Sequence, residues 1–222
     1  MKKSITYLLL ILFLVSTGTA YSQSKKSTSD SEKLIDSKLF DNMKFRNIGP
    51  AFMSGRISDL AIDPTNESVW YVAVSSGGVW KTTNAGTTFK PIFDKEKVFA
   101  TGCVTIDPNN PYVIWVGTGE NNGGRHISFG DGVYKSTDGG ETWSNMGLKN
   151  SEHVSKIIVH PDNSDIIMVA SQGPLWSAGG DRGFFKSIDG GKTWEKTLGD
   201  ESFTGVTDLV ADPRNPNRLY AA

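Results

Sequence analysis

Two segments of the chain concentrate side chains that can bind a ligand or move a proton. Residues 119–132 combine a carboxylate, a guanidinium and an imidazole, and residues 171–183 combine an indole, a carboxylate and a guanidinium. Long polar segments that carry an aromatic residue are typical of ligand-binding loops. The indole can stack on a sugar ring or fill a pocket for a peptide side chain. We predict a ligand-contact surface made of Glu120, Arg125, His126, Trp176, Asp181 and Arg182.

The alternative for these two segments is purely structural. In that interpretation the loops pack on each other, Trp176 caps a sheet, and Arg182 forms an ion pair with Asp181. The sequence leaves both interpretations open, and it assigns no catalytic residue.

A second group of polar residues recurs in an eight-residue motif. "STDGGETW" spans residues 136–143, "SIDGGKTW" spans residues 187–194, and a weaker copy, "TTNAGTTF", spans residues 82–89. A catalytic loop is normally present once, so three copies indicate architecture. Carboxylate and hydroxyl side chains can satisfy turn N–H groups, glycine accepts positive φ, and the aromatic residue can fill the space between sheets. We predict hairpin turns built on Ser136, Asp138, Trp143, Ser187, Asp189 and Trp194, with Asn84 replacing the aspartate in the first copy.

The motif belongs to a longer repeat. Four segments read as an apolar run, a D/H-P-x-N turn and a second apolar run, with prolines at Pro64, Pro108, Pro161 and Pro213. Repeats of about 50 residues with four short strands each are typical of a β-propeller. We predict an all-β fold, a β-propeller of four-stranded antiparallel blades, of which about three and a half are present. A β-helical solenoid, which uses shorter repeats, is the alternative.

The strand order predicts which side of the propeller carries function. We letter the four strands of each blade A to D in chain order. If strand A lies at the centre and strand D at the outside, the D/H-P-x-N turns between A and B and the eight-residue motifs between C and D share one rim. The two polar loops then lie on the opposite rim, which propellers more often use for ligands. Aligned on the prolines, the inner strands place Asp59, Cys103, Lys156 and Asp208 in one column. These residues either contribute to a site in the channel or simply line it.

The eight-residue motif resembles the Asp-box, or BNR repeat. Such boxes are found in bacterial sialidases, xyloglucan-active glycoside hydrolases and the sortilin family. The frame from Lys44 onwards, with "FRNIGPAFMSGRISDLAIDP" and "VIWVGTGE", is most similar to large secreted bacterial proteins with a sortilin N-terminal-like domain. The resemblance implies a propeller with more blades than these, so the remaining blades are expected in the same polypeptide.

The resemblance also bears on enzyme activity. Xyloglucan-active relatives place a catalytic aspartate just before the Gly-Gly that opens strand C of the first blade, where this chain has Ser75 and Ser76. A sialidase needs an arginine triad, and Arg46 and Arg56 would supply only part of one. Metal-ligand spacing is absent from the sequence, and no cofactor is expected.

The first residues indicate export. Two lysines precede an apolar run of about a dozen residues and then small residues, which is the pattern of a signal peptide over residues 1–22. Residues 23–42 are predicted to be a flexible leader, and residues 43–222 the propeller, with blades over about 43–98, 99–149, 150–199 and, in part, 200–222. The predicted location is the periplasm, the cell surface or the medium, without membrane insertion after cleavage.

Composition narrows the partners. The net charge of −1 offers no basic surface for nucleic acid. The single cysteine, Cys103, excludes a disulfide scaffold. We therefore expect a peptide, protein or polysaccharide ligand. The leading prediction is a sortilin-like binding module that uses its B–C and D–A loops, which join strands B and C of a blade and strand D to the next strand A. This prediction favours a binding protein over an enzyme. The alternatives are a glycoside hydrolase of xyloglucanase or sialidase type, with catalytic residues partly outside this chain, and a structural cell-surface unit.

Overall fold

The repeats fold into separate antiparallel sheets. The computed structural model describes residues 55–122, 127–199 and 201–222, so the predicted signal peptide and leader lie outside the described residues. Three four-stranded sheets and one two-stranded sheet follow one another along the chain. This confirms the predicted all-β fold and the four-stranded blade. The exact blade limits stay predictions.

Each full blade is a meander in which neighbouring strands in sequence are neighbours in the sheet. We number the strands in chain order and use A to D for the four positions in a blade. The strands are β1 (Ile57–Ile62), β2 (Trp70–Val74), β3 (Gly78–Thr82) and β4 (Lys90–Pro91) in blade 1; β5 (Thr101–Asp107), β6 (Asn110–Thr118), β7 (Val133–Ser136) and β8 (Ser144–Asn145) in blade 2; β9 (Val154–His160), β10 (Asn163–Ser171), β11 (Gly183–Ser187) and β12 (Glu195–Leu198) in blade 3; and β13 (Leu209–Asp212) and β14 (Asn215–Ala221) in blade 4. No helix able to cross a bilayer occurs in these described segments.

The hydrophobic core lies between successive blades. One cluster joins blades 1 and 2 around Tyr71, Phe93 and Tyr134. A second joins blades 2 and 3 around Trp115 and Phe185. A smaller one joins blades 3 and 4. Blades 2 and 3 have a described neighbour on each side, and their B strands are buried and almost continuously apolar near the middle of the blade.

The Asp-box turns are held by hydrogen bonds to their own side chains. In blade 2, Asp138 Oδ1 accepts the backbone N–H of Thr142 at 2.9 Å, and Asp138 also accepts the hydroxyls of Ser136 and Thr142. Asp189 repeats the pattern with Ser187 and Thr193 in blade 3. In blade 1, Asn84 Oδ1 accepts the N–H of Thr88 at 2.9 Å, in the place that the aspartate has in the other two boxes.

The boxes of blades 2 and 3 also attach to the preceding blade. Trp143 donates its indole N–H to the carbonyl of Ile92 in the preceding blade at 2.8 Å, and Trp194 does the same to Met146 at 2.7 Å. Within blade 2, the N–H of Gly139 donates to Tyr112 O, next to the turn between strands A and B. The boxes therefore lie on the same rim as the A–B turns, and we call this rim the box rim. Their tryptophans connect neighbouring blades by hydrogen bonds.

Box carboxylates make the fold sensitive to acid. The hydrogen bonds from Thr142 and Ser136 hold the pKa of Asp138 well below its usual value, and those from Thr193 and Ser187 do the same for Asp189. A depressed pKa in the folded state means that the stabilisation is complete above the unfolded pKa of about 4 and is lost as the pH falls further. We expect urea midpoints to decline below about pH 4, and less steeply in Asp138→Asn and Asp189→Asn.

Blade 1 offers a matched control for this prediction. Asn84→Asp restores the carboxylate of the other two boxes, so it should raise stability at pH 7 and add acid sensitivity below about pH 4. Equal acid dependence in the parent, the asparagine variants and Asn84→Asp would show that the box carboxylates do not control it.

Candidate functional site

The rim opposite the boxes carries the predicted ligand loops. We call it the loop rim; it consists of the B–C loops (residues 75–77, 119–132 and 172–182) and the D–A loops (residues 92–100, 146–153 and 199–208). One backbone bond recurs from blade to blade, where the first residue after strand B donates to the residue immediately before strand A. These bonds are Ser75 N to Arg56 O, Gly119 N to Ala100 O, and Gln172 N to His153 O, at 2.8–2.9 Å.

Gly119 is required at the start of the second B–C loop. Its φ is +85°, in the region that glycine adopts without strain. A Cβ at this position would lie 1.7 Å from the carbonyl oxygen of Glu152. The glycine therefore lets the loop pass against the next D–A loop and delivers Glu120 to the inner side of the rim.

Glu120 is buried, with 2% of its side chain exposed, and it forms an ion pair with Arg56. Arg56 precedes strand β1 of blade 1 and is 52% exposed. The pair therefore bridges blades 1 and 2 at the mouth of the loop rim. Because Glu120 is covered, it can orient Arg56 more readily than it can contact a ligand, and ligand contact by Glu120 stays a prediction.

The ion pair should contribute measurably to stability. Arg56→Ala leaves the buried Glu120 carboxylate without its cation, and we expect a loss of about 1–2 kcal/mol because the arginine is half exposed. Urea denaturation of a double-mutant cycle measures the coupling. Glu120→Gln in the Arg56→Ala background should recover part of the loss. Strictly additive effects would show that the two side chains do not interact.

His153 lies directly behind this pair. Its Nδ1 is 2.8 Å from the carbonyl oxygen of Glu120, so Nδ1 carries the hydrogen and donates. Its ring packs against Phe129 at a centroid distance of 5.6 Å. Burial lowers the pKa of His153 to about 4, so the imidazole is neutral at pH 7. Its Nε2 has no hydrogen-bond partner within the described segments.

Arg182 organises the third B–C loop. It is 4% exposed, and its guanidinium donates from Nε to Gly179 O at 2.8 Å and from Nη2 to Pro174 O and Ser177 O at 2.6 and 2.7 Å. The expected ion pair with Asp181 is not observed. The predicted ligand contact by Arg182 stays untested, while its burial favours a role in positioning the loop.

Asp181 also has structural partners. Its Oδ2 accepts the N–H of Asn150 at 2.9 Å, and its own N–H donates to Asn150 O at 3.0 Å. Its carbonyl oxygen accepts the hydroxyl of Ser171. These bonds tie the third B–C loop to the D–A loop before it. Contact between Asp181 and a ligand remains a prediction.

Trp176 is the predicted contact residue that the structure places most openly on the surface. It lies at the tip of the third B–C loop with 79% of its surface exposed. The other two predicted residues, Arg125 and His126, lie outside the described residues. The structure therefore brings Glu120 to the channel side of the rim and Trp176 to a separate B–C loop, one blade further on.

Three exposed aromatic residues were not singled out from the sequence. Phe99 lies on the first D–A loop, Phe129 on the second B–C loop, and Phe203 on the D–A loop after blade 3. With Trp176 they place four exposed aromatic side chains on the loop rim. A search of the D–A loops as well as the B–C loops would have found Phe99 and Phe203.

Ser75 occupies the position of the expected carboxylate in blade 1. It is buried, and its hydroxyl has no hydrogen-bond partner in the described part of the chain. Ser76 follows it in the short turn before β3. Neither serine can act as the acid or base that glycoside hydrolysis requires.

The column of inner-strand residues contributes to packing between blades. Asp59 Oδ2 accepts the backbone N–H of Val104 in the next inner strand at 3.1 Å. Cys103 is buried, and burial raises the pKa of its thiol to about 12. Asp208 Oδ1 accepts the N–H of Leu209. At least Asp59 therefore joins neighbouring strands rather than standing free in the channel. The described residues contain no cluster of side chains able to hold a metal ion.

The comparisons with known proteins support the repeat and the fold. A model of the BNR/Asp-box repeat matches residues 134–145 and 185–196, the boxes of blades 2 and 3 with their flanking strands. A xyloglucanase from Hypocrea jecorina is 28% identical over 207 residues, covering 82% of this chain and 24% of the relative. An oligoxyloglucan-reducing end-specific xyloglucanase from Emericella nidulans is 23% identical, covering 75% of this chain and 21% of the relative.

A solved structure gives the same result. The crystal structure of an ancestral GH74 enzyme superposes with a TM-score of 0.62 and 25% identity, covering 79% of this chain and 22% of that chain. The chain spans about a quarter or less of the length of the curated relatives that it matches. A resemblance to the sortilin family specifically is not among these findings. The chain carries BNR/Asp-box repeats in a β-propeller fold related to that of the GH74 xyloglucanases.

Proposed function

We propose that this chain forms part of an exported glycoside hydrolase that acts on β-linked glucans of the xyloglucan type, and that its loop rim binds the polysaccharide. The observation that carries the proposal is the similarity to xyloglucanases over most of the chain. This replaces the sortilin-like binding module as the leading hypothesis and keeps the glycoside hydrolase that the sequence left open.

Two of the aromatic residues of the loop rim, Trp176 and Phe203, support polysaccharide binding. A pyranose ring presents a face of C–H groups that packs on an aromatic ring, while its hydroxyls need polar partners nearby. Trp176 and Phe203 expose their rings, and Arg56 presents a half-exposed guanidinium at the channel mouth. The box rim, by comparison, uses its carboxylates and two of its tryptophans in bonds within and between blades.

Catalysis on this proposal depends on residues other than those singled out here. Hydrolysis of a glycosidic bond needs two carboxyl groups, one acting as an acid and the other as a base or nucleophile. Glu120 is bound to Arg56, Asp181 is bound to Asn150, and blade 1 carries Ser75 in place of a carboxylate. These three positions therefore do not supply the acid and base pair, and the proposal places the catalytic carboxyl groups elsewhere in the complete protein.

The experiment is a combined assay of release and retention on the complete protein. It is incubated with xyloglucan, unbranched β-1,4-glucan and unrelated polysaccharides, and released reducing ends are measured. Retention is scored by affinity electrophoresis in gels that contain the same polymers. We expect retention and release with xyloglucan.

The other outcomes separate the remaining hypotheses. Retention without release would reduce the proposal to a polysaccharide-binding propeller. If the protein neither retains nor cleaves any of the polymers, the proposal is overturned and a peptide or protein ligand becomes the leading hypothesis. Retention of every polymer alike would indicate non-specific adsorption and would also count against it.

A further inference from the structure

A single buried side chain shapes the loop that carries Trp176. The three carbonyl groups that accept from Arg182 belong to Pro174, Ser177 and Gly179, so they flank Trp176 on both sides in sequence. A planar guanidinium with fixed donors can hold three carbonyls in one arrangement, which a lysine ammonium on a flexible stem does less well. The Arg182 guanidinium therefore fixes the backbone of the loop from its buried side, and the indole of Trp176 at the tip is exposed to solvent.

The same guanidinium contacts a second loop. Its Cζ lies 5.9 Å from the ring centroid of Phe203, on the D–A loop that leads to blade 4. The N–H of Gly179 donates to Ser202 O at 2.9 Å, which joins the two loops next to Phe203. Phe203 is 75% exposed, so its ring contacts Arg182 while most of its surface stays open. The backbone on either side of Trp176 and the ring of Phe203 thus contact the same buried residue.

Building on the proposed function, we infer that Trp176 and Phe203 form a subsite for pyranose rings of a glucan chain, and that Arg182 is its positioning residue. The subsite lies at the junction of blades 3 and 4, on loops other than the one that carries Glu120. Ser177 and Ser202 are exposed beside the two rings and offer hydroxyls to sugar hydroxyls. Preorganised aromatic side chains bind with little loss of side-chain entropy, which is the effect expected of the pinned loop.

The occupant follows from the chemistry of this surface. Two aromatic faces with neutral hydroxyls suit an uncharged ring that has an apolar face. A glucan chain has that chemistry, and the xyloglucanases to which the chain is similar act, by name, on such a polymer. The other two exposed aromatic residues of the loop rim lie outside this surface. Phe129 packs against His153, and Phe99 lies on the loop between blades 1 and 2.

Binding of soluble xyloglucan to the complete protein tests the subsite. Affinity electrophoresis of Trp176→Ala and Phe203→Ala should show retention weakened by about 10-fold in each case, as expected for truncation of a central aromatic contact. Phe99→Ala is the matched control, since it removes an exposed phenylalanine from the same rim at another junction. It should bind within about twofold of the parent. An equal loss in Phe99→Ala, or no loss in the first two variants, would overturn the inference.

A double-mutant cycle tests the positioning role. Arg182→Met should weaken retention, and adding it to the combined Trp176→Ala and Phe203→Ala variant should cause little further loss, because its effect on binding acts through these two rings. A full additional loss would overturn the positioning role. Since Arg182→Met removes a buried hydrogen-bonding group, Arg182→Lys and Trp176→Phe serve as milder variants. Trp176→Phe should restore most of the binding that Trp176→Ala loses.

The design separates this inference from the proposed function. If the parent protein retains xyloglucan but Trp176→Ala and Phe203→Ala retain it equally well, the subsite is wrong while polysaccharide binding stands. If the parent protein retains no polysaccharide, both proposals fail.

Discussion

Replacing Trp115 by alanine should destabilise the protein by about 3–5 kcal/mol, the loss typical of truncating a fully buried large aromatic side chain. Trp115 lies in strand β6 with no exposed surface and belongs to the cluster that joins blades 2 and 3. Lys135 holds its ammonium 4.8 Å from the ring centroid. Gly191 of the third box rests on the ring, since a Cβ there would lie 2.5 Å from Trp115 Cη2. The change should be visible as a lower urea midpoint.

Trp115→Phe is the control for this prediction. The indole N–H of Trp115 has no hydrogen-bond partner among the described residues, so phenylalanine removes volume without breaking a hydrogen bond. We expect it to cost less than half as much as Trp115→Ala. A loss below about 1 kcal/mol in Trp115→Ala would contradict the account of the core as packing between blades.

Protonation of His153 should produce the second large effect, a loss of about 3 kcal/mol between pH 6.5 and pH 4. Burial lowers its folded-state pKa to about 4 from a usual value near 6.5. The unfolded state therefore binds a proton first as the pH falls, and stability decreases across this window and levels off below it. The physical cause is the burial of Nε2, which has no hydrogen-bond partner among the described residues. Protonation would place a hydrogen and part of a positive charge on this buried atom, which is unfavourable.

His153→Gln tests this origin. Glutamine can still donate to the carbonyl of Glu120, but it does not titrate. Urea midpoints of the variant should be nearly flat from pH 6.5 to pH 4. The decline below pH 4 should persist, because it belongs to Asp138 and Asp189. An unchanged slope between pH 6.5 and pH 4 in His153→Gln would assign the effect to another group.

The repeated features of the fold could be predicted because the same motifs, the Asp-boxes and the D/H-P-x-N turns, recur several times in the sequence. The turn hydrogen bonds of Asp138, Asp189 and Asn84 join residues within eight positions of one another, so the residue types alone suggest them. The shared rim of boxes and A–B turns follows from strand order alone. Local hydrogen-bonding chemistry and antiparallel topology leave few alternatives at such positions.

The loop rim was less predictable, because its contacts join residues far apart in sequence. Nothing near Arg56 indicates that it pairs with Glu120 of the next blade. Arg182 was expected beside Asp181, yet it turns inward, where three carbonyl groups of its own loop surround it. Composition shows that a loop is polar and aromatic, but it does not show which polar side chain folds beneath the loop and which stays on its surface.

This distinction changes how the candidate residues are interpreted. Trp176 is exposed, whereas Glu120 and Arg182 are buried, Glu120 against Arg56 and Arg182 against the loop of residues 174–179. Buried charged side chains at a functional rim are commonly the residues that hold contact residues in place. The loop rim therefore has buried charged residues beneath exposed aromatic rings.

Amide hydrogen exchange of the complete protein, with and without saturating soluble xyloglucan, tests most directly whether the loop rim is the polysaccharide-binding surface. We predict slower exchange in residues 172–182 and 201–205 when xyloglucan is bound. Exchange should not change in the box turns, residues 137–142 and 188–193, which lie on the opposite rim. Protection confined to the box turns, or absent from both loops of the third and fourth blades, would contradict the account.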